Sequence, residues 1–168
     1  MCPTPSSDSD GVAAALVDTE AERLAAIEAI KALKARYFRA MDTKDWPAFE
    51  AVFTSDATMD VSGELGGGDG DAGIIRGNAA IRAFVQGAID TVTTVHHGHM
   101  PEIDVVSPTR ANGVWAMEDQ LVWPEGAPIR SLHGFGHYHE AYERHDGRWL
   151  IASLRLTRLR VDVEMGDA

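Results

Sequence analysis

From Thr19 onward, apolar side chains return every three or four positions: Leu24, Ile27, Ile30, Leu33, Tyr37 and Met41, with Glu28, Lys31, Lys34 and Arg39 between them. That period predicts an amphipathic helix ending near Asp42. Thr19 with Glu22 three positions on reads as a capping box at its start. Asp45-Trp46-Pro47 predicts a second, short helix, capped by the aspartate, opened by the proline and reaching Phe53. Over 57–62 the period drops to two, which predicts a strand. Residues 63–73 are dense in glycine and carry two aspartates, so they read as a loop. The loop lacks the Lys and Ser/Thr of a phosphate cradle, and its aspartates repel phosphate. Gly77-Asn78 precedes a third helix over 79–90, with Ile81, Phe84, Val85 and Ala88 on one face.

The rest of the chain reads as long strands over 92–106, 110–123, 130–144 and 148–163. Between the last two stands Asp146-Gly147, a two-residue hairpin signal. Helices followed by a run of long antiparallel strands predict an α+β fold, with the helices packed on one face of a curved sheet.

Length and composition narrow the options. At 168 residues, the chain predicts one domain, taken as 19–164, behind a tail over 1–18 that is rich in Pro, Ser and Asp and is expected to be disordered. A hydrophobic content of 45% suffices for a core without staples. Lys plus Arg number 15 against 26 Asp plus Glu, a net charge of −11. Such a chain is a poor partner for nucleic acid or for an anionic membrane surface. The single cysteine, Cys2, excludes an internal disulfide framework and a cysteine-based zinc site. No stretch approaches the roughly 20 apolar residues of a membrane span. Asp8 and Asp10 stand where a signal peptide carries basic residues, so a cytoplasmic protein is expected.

The candidate chemistry is histidine chemistry. All seven histidines fall between residues 96 and 145, as His96, His97 and His99, then His133, His137 and His139, then His145. Three readings suit that clustering. In the first, an imidazole held by a carboxylate acts as a general base. Asp42, at the edge of the apolar helical stripe, and Asp119, which shares strand parity with Trp115 and Met117, are the candidate carboxylates. In the second, His137, His139 and Glu143 hold a metal in HxHxxxE spacing. In the third, the histidines only line a ligand pocket. Tyr37 and Tyr138 need a partner for their hydroxyls if buried, which makes each a candidate proton or hydrogen-bond donor. Arg158 and Arg160 alternate with Leu156, Leu159 and Val161, and offer a cation to an anionic substrate group. Neither a Gly-x-Ser-x-Gly motif nor a reactive cysteine is present, which argues against a covalent hydrolase.

Four segments carry a family resemblance. Residues 36–46, Arg-Tyr-Phe-Arg-Ala-Met-Asp-Thr-Lys-Asp-Trp, resemble the opening of SnoaL-like proteins of the nuclear-transport-factor-2-like superfamily. Thr94-Val95-His96, Gly113 to Asp119, and Tyr142 to Trp149 continue the likeness in order, over about residues 20–163. Scytalone dehydratase and bile acid 7-alpha-dehydratase are among the catalytic proteins it resembles. The resemblance implies a cone-shaped α+β fold, in which a strongly curved, mostly antiparallel sheet wraps the N-terminal helices. It implies an Asp42–His96 dyad with Tyr37 and Asp119 beside it as catalytic residues, and Trp115, His137, Tyr138 and Arg158 as substrate contacts. The activity it implies is a lyase or isomerase without cofactor or bound metal, acting on a small apolar hydroxy-carbonyl, steroid-, polyketide- or aromatic-type substrate. It also implies a homodimer or homotrimer. The alternatives are a binding module of the same fold and a histidine-ligated metal enzyme.

Overall fold

The computed structural model describes residues 8–62 and 73–166, with side chains from residue 19 onward. The elements run α1 (Asp8–Asp42), α2 (Trp46–Glu50), β1 (Phe53–Asp60), β2 (Ile74–Arg76), α3 (Asn78–Ile89), β3 (Thr93–Ser107), β4 (Arg110–Val122), β5 (Ile129–His145) and β6 (Arg148–Met165). Of the tail expected over 1–18, residues 1–7 lie outside the described part. The backbone of 8–18 is helical, so Thr19 sits inside α1 and does not cap it. Three alanines and Leu16, strong helix formers, precede it. All but the last residue of the loop expected over 63–73 lies outside the described residues. Among the described residues no helix is long and apolar enough to cross a membrane.

The six strands form one sheet in the order β2-β1-β6-β5-β4-β3. Among the described residues, only β1 and β6 pair in parallel. The sheet is open, with β2 and β3 at its edges. The four long strands match the expected spans closely. The short β2 has no signal in the sequence, because three residues are too few for a period to show. The expected hairpin is present: Asp146 and Gly147 both have positive φ, 49° and 79°, as a two-residue turn of this kind requires. The short helix α2 has Asp45 as its cap, with Oδ1 accepting from the Ala48 N–H at 3.2 Å. It stops at Glu50, and Phe53 opens β1. On α3 the buried face is Ile81 and Ile89 with Val85 half-buried, one residue every four. Phe84, 40% exposed, and Ala88, also exposed, lie outside this face, contrary to the expectation.

Helix α1 packs Ala26, Ile30, Leu33, Tyr37, Phe38 and Met41 into the core, whereas Leu24 is 53% exposed. The surprise on this face is Lys34, which reads as a polar spacer in the sequence and is fully buried in the fold. Its ammonium pairs with the buried Glu140 carboxylate of β5 and lies 3.6–4.1 Å from the ring centroids of Tyr138 and Tyr37. Glu140 Oε2 also accepts from the Tyr142 hydroxyl at 2.5 Å, and that hydroxyl accepts from Trp115 Nε1 at 2.8 Å. A buried charge needs this degree of pairing. Burial pushes the Lys34 ammonium down to about 8, against the opposing pull of Glu140.

Removing one member of this pair strands the other. Lys34→Met is expected to cost about 3–5 kcal/mol in urea unfolding, and Lys34→Met/Glu140→Gln to cost less than the single change. A neutral Lys34→Met would show that Glu140 does not depend on it.

Candidate active site

The site begins with the way α1 ends. Asp45 N–H donates to Ala40 O at 2.9 Å and Lys44 N–H to Met41 O at 3.2 Å. Lys44 lies in the left-handed region at φ 59°. These are the two bonds and the reversed residue of a Schellman ending. They stop the helix and leave Asp42 in its last turn, turned toward β3. The negative end of a helix dipole is an unfavourable place for a carboxylate. Asp42 is held there by three hydrogen bonds from β3. The Thr94 hydroxyl donates to Oδ1 at 2.9 Å, the His96 backbone N–H to Oδ2 at 2.9 Å, and the His96 ring nitrogen Nδ1 to Oδ1 at 2.6 Å. Burial pushes the Asp42 carboxyl up, but the His96 ring and backbone bonds and the Thr94 bond outweigh it and hold the group below its ordinary value.

The period of two along β3 decides which histidine takes part. Thr94, His96 and Gly98 face α1, and Val95, His97 and His99 face away. A carboxylate at Nδ1 fixes the tautomer with Nδ1 protonated and Nε2 bare. His96 Nε2 makes no hydrogen bond among the described residues, and the side chain is 7% exposed. The Phe38 ring stacks on the imidazole, 6.3 Å between centroids and 14° from parallel. Gly98 makes room for Phe38, since a Cβ there would stand 2.7 Å from its ring.

Asp119 is the residue of β4 directly opposite His96. It is buried, and both its oxygens are taken by Arg158 of β6, Nη1 to Oδ1 and Nη2 to Oδ2, each at 2.8 Å. The pair lies over Gly134 of β5, where an added Cβ would collide with both partners. Asp42, not Asp119, is therefore the carboxylate on His96.

Tyr37 and Tyr138 are buried with their hydroxyls hydrogen-bonded to each other. Each ring also contacts Phe38. Burial raises both phenols, and the Glu140 charge adds to this for Tyr37, so both remain O–H donors near neutral pH. Trp115 is buried on the same face and spends its N–H on Tyr142. Seven of the eight expected residues thus share the helix side of the sheet. His137 does not join them. It alternates with Tyr138 along β5, so it takes the outer face with His139, which bonds Thr157 Oγ1 at 3.1 Å. Among the described residues, no group of three or more His, Cys, Asp or Glu side chains is placed to hold a metal ion.

Sequence reasoning missed Thr94, Lys44 and Lys34. Thr94 has a signal, the same parity as His96 on one strand. Lys44 has none, because its place depends on a left-handed turn that a lysine does not announce.

A family model for the SnoaL-like domain matches residues 22–155. The chain belongs to this family. The SnoaL-like chain is 26% identical over 138 residues to the protein named "Probable cyclase FGR4" of Gibberella zeae, covering 77% of this chain and 89% of the relative. Its structure resembles that of a type 2 hexachlorocyclohexane dehydrochlorinase with a TM-score of 0.74 and 21% identity, over 88% of this chain and 95% of that one. It resembles the "Putative Scytalone Dehydratase" of Novosphingobium aromaticivorans with a TM-score of 0.74 and 20% identity, over 89% and 94% of the two chains. These likenesses show that the chain shares the α+β fold of those proteins.

Two outcomes test the geometry of this SnoaL-like site. Gly134→Ala is expected to push Asp119 and Arg158 apart and to cost about 1–3 kcal/mol, read as a lowered thermal midpoint. For Asp42 the sign follows from its lowered folded pKa. Its contribution to stability is present above the ordinary value of 3.8 and is lost as pH falls through the lower folded value. Asp42→Asn is therefore expected to lose less stability than the native chain on acidification below pH 3.8, measured by urea unfolding at stepped pH.

Proposed function

We propose that this SnoaL-like protein is a lyase or isomerase that works by proton transfer at His96 and draws on no cofactor. The observation that carries the reading is the 2.6 Å contact between His96 Nδ1 and Asp42 Oδ1, with Nε2 left unbonded among the described residues. In this reading Nε2 removes a proton from a carbon beside a carbonyl, and the Asp42 charge stabilises the imidazolium that results. Arg158, pinned by both oxygens of Asp119, supplies fixed positive charge for the oxygen on which negative charge develops. Asp119, with both oxygens engaged, serves as the anchor of Arg158 and not as an acid. In a dehydration, the proton taken from carbon passes from Nε2 to the departing hydroxyl. A C–H and a C–O bond break, a C=C bond forms, and one water leaves.

The substrate class follows from the same face of the sheet. Beyond Asp119, Leu121 stands opposite Leu132, and Leu132 opposite Val163, while Val161 stands opposite Gly134. Val161 and Val163 are 42% and 48% exposed. Apolar surface beside a base and an arginine suits a small, mainly apolar hydroxy-carbonyl compound of steroid, polyketide or aromatic type. The relatives named as a cyclase, a dehydratase and a dehydrochlorinase support chemistry of the same broad kind.

The test is turnover on a panel of β-hydroxy ketones and hydroxyacyl thioesters. His96→Ala is expected to lose about 10²–10⁴-fold in turnover with the fold intact. Retained turnover in His96→Ala would end the reading. Binding without turnover by the native chain would favour a ligand-binding module.

A further inference from the structure

Two polar residues stand in line behind the dyad, and proton transfer at His96 does not by itself call for them. The Lys44 ammonium donates to Thr94 Oγ1 at 2.8 Å. Thr94 Oγ1 donates to Asp42 Oδ1 at 2.9 Å, the same oxygen that receives the His96 ring. An ammonium has no lone pair to offer, so the Thr94 oxygen must accept from it, and the one hydroxyl proton is left for Asp42. The line therefore runs in one direction, from Lys44 through Thr94 to Asp42, with His96 on the far side. Thr94 is buried and Lys44 half-buried, which shields the contacts from competing water.

The backbone gives a second, independent observation. Lys44 occupies the left-handed position of a Schellman ending at φ 59°, where glycine is the least strained residue. Strained positions that keep a long side chain point to a use for that side chain. Here the left-handed turn is what carries the ammonium back across the helix end to Thr94.

We propose that Lys44 and Thr94 are positioning residues of the Asp42–His96 pair: they lock the carboxylate in the orientation that keeps His96 protonated at Nδ1, and they draw off part of its negative charge. The inference rests on the proposed proton transfer only for its purpose. Asp42 is faced by Thr94 and His96 from β3 and by Lys44 from the α1–α2 turn. His96 is faced by Asp42 and Phe38 from α1 and by Asp119 from β4, which holds Arg158 of β6. Lys44 also lies near Asp90 at the end of α3, whose Oδ1 accepts from Trp46 Nε1 at 2.8 Å. Burial lowers the Lys44 ammonium, while Asp42 and Asp90 oppose that shift.

The experiment needs no substrate. The Asp42 carboxyl is titrated by ¹³C NMR in the native chain and in Thr94→Val, Thr94→Ser and Lys44→Gly, and the downfield proton on the His96 ring is followed in each. Thr94→Val keeps the buried shape and removes the hydroxyl. Its Asp42 midpoint is expected to rise by about half a unit or more, with weakening of the ring-proton signal. Thr94→Ser is expected to restore both. Lys44→Gly removes the ammonium and relaxes the turn, so its thermal midpoint is expected to hold while the Asp42 midpoint still rises. A folded Thr94→Val or Lys44→Gly with an unmoved Asp42 midpoint overturns the proposal. If Thr94→Val does not fold, Lys44→Gly decides alone. Should His96→Ala keep its turnover while Asp42 still responds to Thr94, the proposed reaction falls and the positioning role stands.

Discussion

A carboxylate at the negative end of a helix is tolerated only if something else satisfies it, and the site is built around that requirement. Asp42 closes the last turn of α1, and β3 supplies all three of its hydrogen bonds, from Thr94 and from the backbone and ring of His96. The same bonds join the helix to the edge strand of the sheet and select one tautomer of His96. Anchoring and chemistry thus share one contact. Anything that moves the end of α1 relative to β3 disturbs both.

The room for this arrangement comes from glycines on β3 and β5, the strands on either side of β4. Gly98 admits the Phe38 ring that stacks on His96, and Gly134 admits the Asp119–Arg158 pair. Beneath them Lys34 and Glu140 form a charged pair inside an aromatic shell of Tyr37, Phe38 and Tyr138. The core is therefore polar at its centre and aromatic around it. A pair of this kind contributes little net stability compared with apolar packing, but removing either partner strands a buried charge.

Much of the arrangement was legible in the sequence because it follows from period. The helical stripe placed Tyr37 and Asp42, and strand parity placed Trp115 with Asp119. The long strands and the Asp146-Gly147 turn were readable for the same reason. Period sends His96 and His97 to opposite faces without naming the inner one; strand pairing does so by setting Asp119 opposite His96 and turning His97 outward. The resemblance implies His137 and Tyr138 together as substrate contacts, but neighbours on a strand face opposite sides, and His137 faces outward. Lys34 reads as a solvent-facing spacer, because its partner Glu140 lies 106 residues away and no local pattern links them. Lys44 was invisible, since its role depends on a backbone reversal usually marked by glycine.

The account stands on the tautomer of His96, and the most direct measurement is the ¹⁵N chemical shift of its two ring nitrogens in selectively labelled protein, at a pH where the ring is neutral. The account predicts a protonated Nδ1, coupled to the Asp42 carboxylate, and a bare Nε2. A ring protonated at Nε2, or one that exchanges freely between the two forms, would contradict it, because the nitrogen meant to take the proton would already hold one.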